Sequence, residues 1–312
     1  MGKIAFIFPG QGAQYVGMAR EITESSSSAG RIMDEASEAL GFDVRKMIFE
    51  GDEETLKITE NTQPAIVTAS LACAQPLVDA GIKPDYTAGL SLGEYAAYVI
   101  SGALSFSDAV KLVRKRGKFM QEAVPLGEGT MAAILGLSRE DVTEICQKAG
   151  SVGIVEPANF NCPGQVSIAG QTEAVNEAIK LASEKGAKRA ILLNVSAPFH
   201  CSLLKSAGEK LQKELESINV QPMQVPVATN VTGKLVESEK DIRDLLVKQV
   251  SSSVLWEDCI NTLIQNGVDT FVEIGPGKVL SGFVKKIDKT AKVYNVEDSA
   301  TLTQTLESLK GN

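Results

Sequence analysis

The stretch Tyr86-Thr87-Ala88-Gly89-Leu90-Ser91-Leu92-Gly93-Glu94 decides the fold class of this 312-residue chain. Its first five residues are typical of a short buried strand, and a helix is predicted over 93–100. Between them lies G-x-S-x-G, a motif that places a serine on a sharp strand-to-helix turn. The turn would expose the Ser91 hydroxyl and aim the Leu92 amide at a developing oxyanion. A glycine-rich turn with a helix-capping serine is the alternative interpretation.

Outward from this turn, predicted strands and helices alternate along the chain. Short apolar runs predict buried strands at 4–8, 225–229 and 270–274. Helical periodicity covers 64–80, where Pro64 suits a first helical position, and about 107–123. Alternation of this kind predicts a mainly parallel sheet covered by helices.

The pattern changes near Pro125-Leu126-Gly127. The predicted elements then follow the order β-α-β-β-α-β, with strands near 131–135, 154–158, 165–169 and 188–195 and helices near 138–149 and 172–185. The turn-rich segment 159–164 is predicted to join the second and third strands. This order matches the ferredoxin-like split βαβ unit. We therefore predict a small ferredoxin-like domain over 126–196, inserted in a large α/β domain that comprises 1–125 and 197–312.

The composition argues against several classes of function. The formal net charge is −8, with 31 Lys plus Arg against 39 Asp plus Glu, which is unlike a nucleic-acid binder. The sequence holds no continuous apolar 18-mer, so we predict no membrane span. The five cysteines include no C-x-x-C pair, and there is one histidine. We therefore expect no metal site, no cofactor, and reduced thiols in the cytoplasm.

His200 is the only histidine in the chain. A serine hydroxyl is a weak nucleophile that needs a base, usually histidine, so a Ser–His pair here would combine Ser91 with His200. The alternative is a structural histidine. The position of His200 favours the functional interpretation, because it follows the predicted small domain and active sites often lie between domains. Spacing does not identify the residue that would orient the imidazole.

Two further segments are candidate parts of a site. Phe8-Pro9-Gly10-Gln11-Gly12 follows the first strand and is not a dinucleotide fingerprint, since Tyr15 stands where the third glycine should be. This segment is either a plain tight turn or the source of an oxyanion donor at the Gln11 amide. Arg116 lies in a basic helix whose charges are mostly expected to be solvated, although a buried guanidinium suits a carboxylate.

Taken together, six motifs stand in an order that resembles a known family. They are Phe8-Pro9-Gly10-Gln11-Gly12, the Gly89–Gly93 turn with Glu94, Arg116-Gly117-Lys118-Phe119-Met120-Gln121, Asn159-Phe160-Asn161, Pro198-Phe199-His200 and Glu273-Ile274-Gly275-Pro276-Gly277. Across nearly the whole chain, the sequence resembles the malonyl-CoA:acyl carrier protein transacylases of bacterial type II fatty acid synthesis. The resemblance implies a hydrolase-like α/β core, with a mainly parallel sheet, that carries the ferredoxin-like insertion.

The resemblance also implies roles in the reaction for five residues. Ser91 would be the nucleophile and His200 its base. The backbone amides of Gln11 and Leu92 would form the oxyanion hole. Gln249 would orient His200 through its main-chain carbonyl, in place of a carboxylate.

Two more residues would contact the substrate. By the same resemblance, Arg116 would hold the malonyl carboxylate and Asn159 would help to line the site near the histidine. The chain departs from the family at Leu90, because members commonly carry histidine just before the nucleophile. That histidine is not the base, so we expect the chemistry to be intact and only packing or substrate positioning at the turn to change.

The implied activity is transfer of a malonyl group from malonyl-CoA to the phosphopantetheine thiol of acyl carrier protein, through a malonyl-serine intermediate, for fatty acid biosynthesis. One alternative is a freestanding acyltransferase that serves a polyketide synthase. Another is a serine thioesterase, which would use the same Ser–His pair but pass the acyl group to water. The expected partners are malonyl-CoA and acyl carrier protein, with neither nucleic acid nor membrane.

Overall fold

The computed structural model describes residues 2–310. Within these residues the strands are β1 (Lys3–Phe8), β2 (Tyr86–Gly89), β3 (Gly129–Leu135), β4 (Val155–Cys162), β5 (Gln165–Gln171), β6 (Arg189–Leu192), β7 (Val227–Ala228), β8 (Val268–Ile274) and β9 (Lys292–Val296). The α-helices are α1 (Arg20–Ser25), α2 (Ser27–Leu40), α3 (Val44–Glu50), α4 (Glu53–Lys57), α5 (Thr59–Asp79), α6 (Gly93–Ile100), α7 (Phe106–Ala123), α8 (Arg139–Ala149), α9 (Thr172–Glu184), α10 (Lys205–Leu215), α11 (Ile242–Val250), α12 (Trp256–Gln265), α13 (Val279–Ile287) and α14 (Ser299–Lys310). Short 3-10 helices cover Ser202–Leu204 and Glu239–Asp241.

The larger sheet has the order β7-β2-β1-β8-β9, and every neighbouring pair in it is parallel. Its central strand β1 is buried on both faces: Phe6 and Phe8 join one core cluster, whereas Ala5 and Ile7 join another. Burial on both faces explains why β1 is continuously apolar rather than alternating. The predicted mainly parallel sheet is therefore confirmed, and the loops after β1 and β2 emerge side by side at its carboxyl edge.

The smaller sheet has the order β4-β5-β3-β6 with antiparallel neighbours, which is the ferredoxin-like arrangement predicted from the element order. One face packs on α8 and α9. The opposite face carries Met131, Ala158 and Ala169, which belong to the main core cluster. The small sheet is thus held against the rest of the protein by apolar contacts. The domain boundaries at 126 and 196 stay a prediction.

Two local expectations were wrong. Helix α5 begins at Thr59, so Pro64 lies inside the helix rather than at its first position. The amides of Asn61 and Thr62 both donate to the Ile58 carbonyl, and they build an additional turn before the proline. Strand β4 also continues through most of the segment predicted as a turn, because Phe160 pairs with chain that is distant in sequence.

The glycines of the G-x-S-x-G turn are required by close approach of the backbone. A Cβ on Gly89 would lie 1.9 Å from the carbonyl carbon of Gly93. A Cβ on Gly93 would lie 2.4 Å from the carbonyl oxygen of Phe8, at the end of β1. Only glycine lets β1, β2 and α6 converge at this point.

We predict that Gly93→Ala lowers the free energy of unfolding by about 1–3 kcal/mol, because backbone must shift to make room for the methyl group. Urea denaturation, followed by far-UV circular dichroism, measures this change. Gly282→Ala is the matched control, since a Cβ there meets nothing within 4 Å. Gly282 lies inside α13, where alanine is favoured by up to about 1 kcal/mol. Equal stability of Gly93→Ala and the wild type would contradict the steric argument.

Candidate active site

Ser91 occupies a strained backbone conformation at the tip of the turn. Its φ is 55°, in the left-handed region, which costs a non-glycine residue about 1–3 kcal/mol. Asn230 holds the turn: its Oδ1 accepts from the Ser91 amide at 2.7 Å, and its Nδ2 donates to the Gly89 carbonyl at 2.8 Å. The residue before α6 is Leu92, and no side-chain cap is present there. The interpretation of Ser91 as a capping residue was therefore wrong.

The Ser91 hydroxyl bonds to the only imidazole in the chain. Ser91 Oγ lies 2.6 Å from His200 Nε2, and His200 Nδ1 lies 2.8 Å from the main-chain carbonyl oxygen of Gln249. A carbonyl only accepts hydrogen bonds, so Nδ1 carries the proton and Nε2 faces the hydroxyl as an acceptor. His200 also has a positive φ, of 61°. Both reacting side chains are thus presented by left-handed backbone.

Burial strongly favours the neutral form of His200. Desolvation, together with the nearby positive charge of Arg116, lowers the pKa of the imidazole to about 3, although the hydrogen bond to the Gln249 carbonyl acts in the opposite direction. The imidazole is therefore unprotonated near neutral pH. A neutral imidazole can accept the proton of a hydroxyl or thiol.

Arg116 is buried rather than solvated, with 1% of its surface exposed. Its Nη2 donates to Ser91 Oγ at 3.1 Å and to Gln249 Oε1 at 3.0 Å, and its Nη1 donates to Gln63 Oε1 at 2.8 Å. Neighbouring basic residues of α7, such as Lys111, are exposed as expected. The guanidinium is thus a fixed positive charge beside the hydroxyl, held mainly by neutral groups.

A buried acid that interacts with the Arg116 guanidinium is Glu94, the residue after the turn motif. Its carboxylate accepts from Gln249 Nε2 at 2.8 Å, the Asn230 amide at 2.9 Å, Thr229 Oγ1 at 2.9 Å and Tyr98 OH at 3.1 Å. Burial raises the pKa of Glu94, and these hydrogen bonds oppose the rise. The side-chain amide of Gln249 therefore lies between the Glu94 carboxylate and the Arg116 guanidinium.

Sequence reasoning missed this network. The available signals were the position of Glu94 directly after G-x-S-x-G and the presence of Gln63 on α5. Neither signal identifies a partner, because the Arg116 bond to Gln63 and the Glu94 bond to Gln249 span 53 and 155 residues.

The loop after β1 lies against the turn. A Cβ on Gly10 would lie 2.6 Å from Leu90 Cδ2, so the Leu90 side chain packs directly on this loop. Among residues 2–310, no hydrogen bond uses the main-chain amide of Gln11 or of Leu92. Both amides stay available as donors, and Leu90 contributes packing at the position before Ser91.

A cavity of about 510 Å³ opens on the hydroxyl. Five of the seven predicted site residues line it, namely Gln11, Ser91, Arg116, Asn159 and His200, whereas Leu92 and Gln249 lie behind its wall. Gln63 and Leu90 also line the cavity, and Leu126, which is 81% exposed, lines it as well. The cavity is large enough for a short acyl group and part of a flexible arm.

Some other kinds of site are not seen in the part of the chain that the structure describes. No group of three or more His, Cys, Asp or Glu side chains is placed to hold a metal ion. No helix there has the length and apolar character needed to cross a bilayer. All five cysteines are buried and unpaired.

Comparison with known proteins is consistent with this geometry. The acyl transferase domain family matches residues 5–306. The malonyl CoA-acyl carrier protein transacylase of Bacillus subtilis is 50% identical over 311 residues, which cover 99% of this chain and 98% of the relative. A crystal structure of the Clostridium perfringens transacylase superimposes with a TM-score of 0.96 at 48% identity and covers 99% of this chain and 98% of its own.

A further solved structure is a malonyl-transacylase in complex with a type II polyketide synthase acyl-carrier protein. It has a TM-score of 0.95 and 42% identity, and it covers 98% of this chain and 99% of its own. These matches span essentially the whole length of both partners. The chain therefore belongs to the acyl transferase domain family and, within it, to the malonyl CoA-acyl carrier protein transacylases.

Proposed function

We propose that this protein transfers a malonyl group from malonyl-CoA to the phosphopantetheine thiol of acyl carrier protein, for fatty acid biosynthesis, through a malonyl-Ser91 intermediate. One observation carries the proposal: the Ser91 hydroxyl lies 2.6 Å from the His200 imidazole and 3.1 Å from the Arg116 guanidinium. The imidazole supplies a base for the hydroxyl. The guanidinium selects an acyl group that carries its own carboxylate.

In the first half-reaction, Ser91 Oγ attacks the thioester carbonyl carbon while its proton moves to His200 Nε2. The carbonyl electrons move to oxygen, and the amides of Gln11 and Leu92 donate to the resulting oxyanion. Each such donor contributes about 2.7–4 kcal/mol. The intermediate collapses, the carbon–sulfur bond breaks, and His200 returns its proton to the departing CoA thiolate. Malonyl-Ser91 remains.

In the second half-reaction, the carrier-protein thiol enters after CoA has left. His200 takes the thiol proton, and the sulfur attacks the ester carbonyl of malonyl-Ser91. The oxyanion forms again beside the same two amides. The carbon–oxygen bond then breaks, and Ser91 recovers its proton from His200. Through both halves, the Gln249 carbonyl keeps the proton of His200 on Nδ1.

Substrate charge and base strength are coupled at this site. Arg116 is one cause of the low pKa of His200. A malonyl carboxylate that binds Arg116 offsets this positive charge, so it raises the pKa of the imidazole toward a value better suited to accept a proton. An acetyl group has no carboxylate and leaves His200 a weaker base. Asn159, which lines the cavity, helps to form the site near the histidine in this scheme.

The two rival activities differ in the acceptor of the acyl group. A thioesterase would release it to water, whereas a polyketide acyltransferase would deliver it to another carrier protein. The curated relative and the solved structures, all named as malonyl transacylases, favour the main proposal over both rivals. A panel of carrier proteins, with hydrolysis measured in parallel, discriminates between them. The proposed compartment is the cytoplasm, where five buried unpaired cysteines stay reduced.

We expect intact protein mixed with malonyl-CoA alone to gain the mass of one malonyl group, and Ser91→Ala to gain none, because within residues 2–310 the Ser91 hydroxyl alone bonds to the imidazole. Mass spectrometry of the intact chain measures the adduct. Ser217→Ala, at an exposed serine, is the control and should be modified like the wild type. An adduct retained by Ser91→Ala would exclude the proposed intermediate.

The pKa of about 3 for His200 predicts an unusual pH profile. Because a lowered pKa keeps the base neutral as pH falls, kcat/KM for malonyl-CoA should stay level from about pH 8 to about pH 5. An ordinary histidine would halve the rate near its pKa of about 6.5. Fluorescence of the buried Trp256, the only tryptophan, checks that the protein stays folded at each pH. Half-maximal activity near pH 6.5 would contradict this expectation.

Arg116→Ala should lower kcat/KM for malonyl-CoA roughly 30-fold or more, because the malonyl carboxylate loses its buried partner. This factor corresponds to a loss of about 2–5 kcal/mol in the binding of the transition state. Transfer of acetyl, which lacks that carboxylate, should fall much less. Lys111→Ala, on the exposed side of the same helix, is the matched control. An unchanged ratio of malonyl to acetyl transfer in Arg116→Ala would remove the assigned role.

A further inference from the structure

Strand β4 of the small sheet touches both segments that hold the imidazole in place. One segment is 200–202, which begins with His200. The other is 249–254, which begins with Gln249, the source of the carbonyl that accepts from the ring. These two segments meet at the 2.8 Å bond between His200 Nδ1 and the Gln249 carbonyl oxygen. The small sheet therefore contacts the segments that hold His200, in addition to lining the cavity.

The contact with the histidine segment is made by Glu156. One carboxylate oxygen, Oε2, accepts from the Ser202 amide at 2.7 Å, and the other, Oε1, accepts from Ser202 Oγ at 2.7 Å. Both oxygens of one side chain thus grip one residue, two positions after His200. Hydrogen bonds to an ionised acceptor are stronger than those between neutral groups.

The contact with the other segment is made by the backbone of the same strand. The Val254 amide donates to the Ala158 carbonyl at 2.8 Å, and the Phe160 amide donates to the Val254 carbonyl at 2.9 Å. Ser253 Oγ donates to the Pro157 carbonyl at 2.6 Å. Five consecutive positions of β4, 156–160, therefore include the contacts to both segments.

These contacts matter because the acceptor for the imidazole is part of the backbone and cannot adjust on its own. A catalytic carboxylate can swing on its side chain to follow an imidazole, but the acceptor here is a main-chain carbonyl. The ring and the carbonyl meet only if the turn at His200 and the last turn of α11 keep a fixed relative position. His200 also has a positive φ of 61°, a conformation that persists only where the surroundings fix it.

We propose that Glu156 is a positioning residue for His200: its bidentate bond to Ser202 ties the histidine segment to β4, which also holds the segment of the Gln249 carbonyl. The kinetic consequence rests on the proposed function, whereas the placement of the ring does not. The competing explanation is that Glu156 only caps the 3-10 helix Ser202–Leu204 and has no effect on the imidazole.

The test uses the fact that the chain has one histidine. In protein labelled with ¹⁵N-histidine, all imidazole signals come from His200. In Glu156→Ala we expect the Nδ1 proton to exchange faster with solvent and the ring signals to broaden. The rate of malonyl-enzyme formation should fall roughly 10- to 100-fold, as expected when a catalytic group is misplaced by about 1 Å. The KM for malonyl-CoA should change little, because Glu156 does not line the cavity.

Glu156→Gln keeps a carbonyl oxygen for the Ser202 amide, and its NH₂ group can donate to the rotated hydroxyl. This variant should restore the spectrum and most of the rate. Ser202→Ala removes one of the two bonds and should slow malonyl-enzyme formation by a few fold. Glu173→Ala is the matched control and should resemble the wild type. Glu173 is an exposed acid on α9, the helix that packs on the small sheet.

Wild-type spectra and rates in Glu156→Ala would overturn the proposal, as would a Glu156→Gln variant that is as slow as Glu156→Ala. Where Glu156→Ala does not fold, wild-type behaviour of Ser202→Ala overturns it instead. Failure of the proposed function is distinguishable, because the wild type would then form no malonyl-enzyme while the imidazole spectra would still report on the ring.

Discussion

The hydrogen bond between Ser91 Oγ and His200 Nε2 joins side chains 109 residues apart, and each of them stands on left-handed backbone. Neither conformation is favourable for a residue with a Cβ, so both depend on what surrounds them. Asn230 clamps the serine turn through two hydrogen bonds, and the glycines at its flanks let β1 and α6 come within contact of it. The histidine segment is tied to Glu156, and its ring to the Gln249 carbonyl. The parallel sheet, the turn and the small sheet all contribute to one 2.6 Å contact.

The buried charges of the site are arranged so that they do not pair directly. The Gln249 amide group separates the Glu94 carboxylate from the Arg116 guanidinium, with its NH₂ group toward the anion and its oxygen toward the cation. A direct buried ion pair would hold the guanidinium tightly, and breaking it would be costly. Arg116 is held instead by the neutral oxygens of Gln63 and Gln249. Under the proposed function, it exchanges one of these partners for the malonyl carboxylate without breaking a direct ion pair.

Much of the fold was predictable because local and tertiary preferences agree. The apolar run of β1 and the helix after Ser91 are signals that neighbouring residues alone provide. The predicted Ser–His pairing required the G-x-S-x-G motif around Ser91 and a chain with one histidine. In contrast, the extension of β4 depends on pairing with Val254, and the extra turn before Pro64 depends on the Ile58 carbonyl. Gln249 entered only through resemblance, since its contact with His200 is made by a main-chain atom, which every residue has. Gln63 and Glu156 bond across 53 and 46 residues, and no periodicity encodes such distances.

Gln249 meets its neighbours with two chemically separate parts. Its side-chain amide bridges Glu94 and Arg116, whereas its backbone oxygen accepts a hydrogen bond from Nδ1 of the imidazole. A substitution at this position alters the side-chain amide and leaves a backbone oxygen in the chain. Substitution of Gln249 would remove a bond to the guanidinium and also the 3.0 Å bond from Nε2 to the Ser91 carbonyl, while the main-chain acceptor of His200 stays in the chain. A point mutation at position 249 therefore cannot delete the atom that accepts from the imidazole, although it can displace that atom through the lost contacts of the side chain.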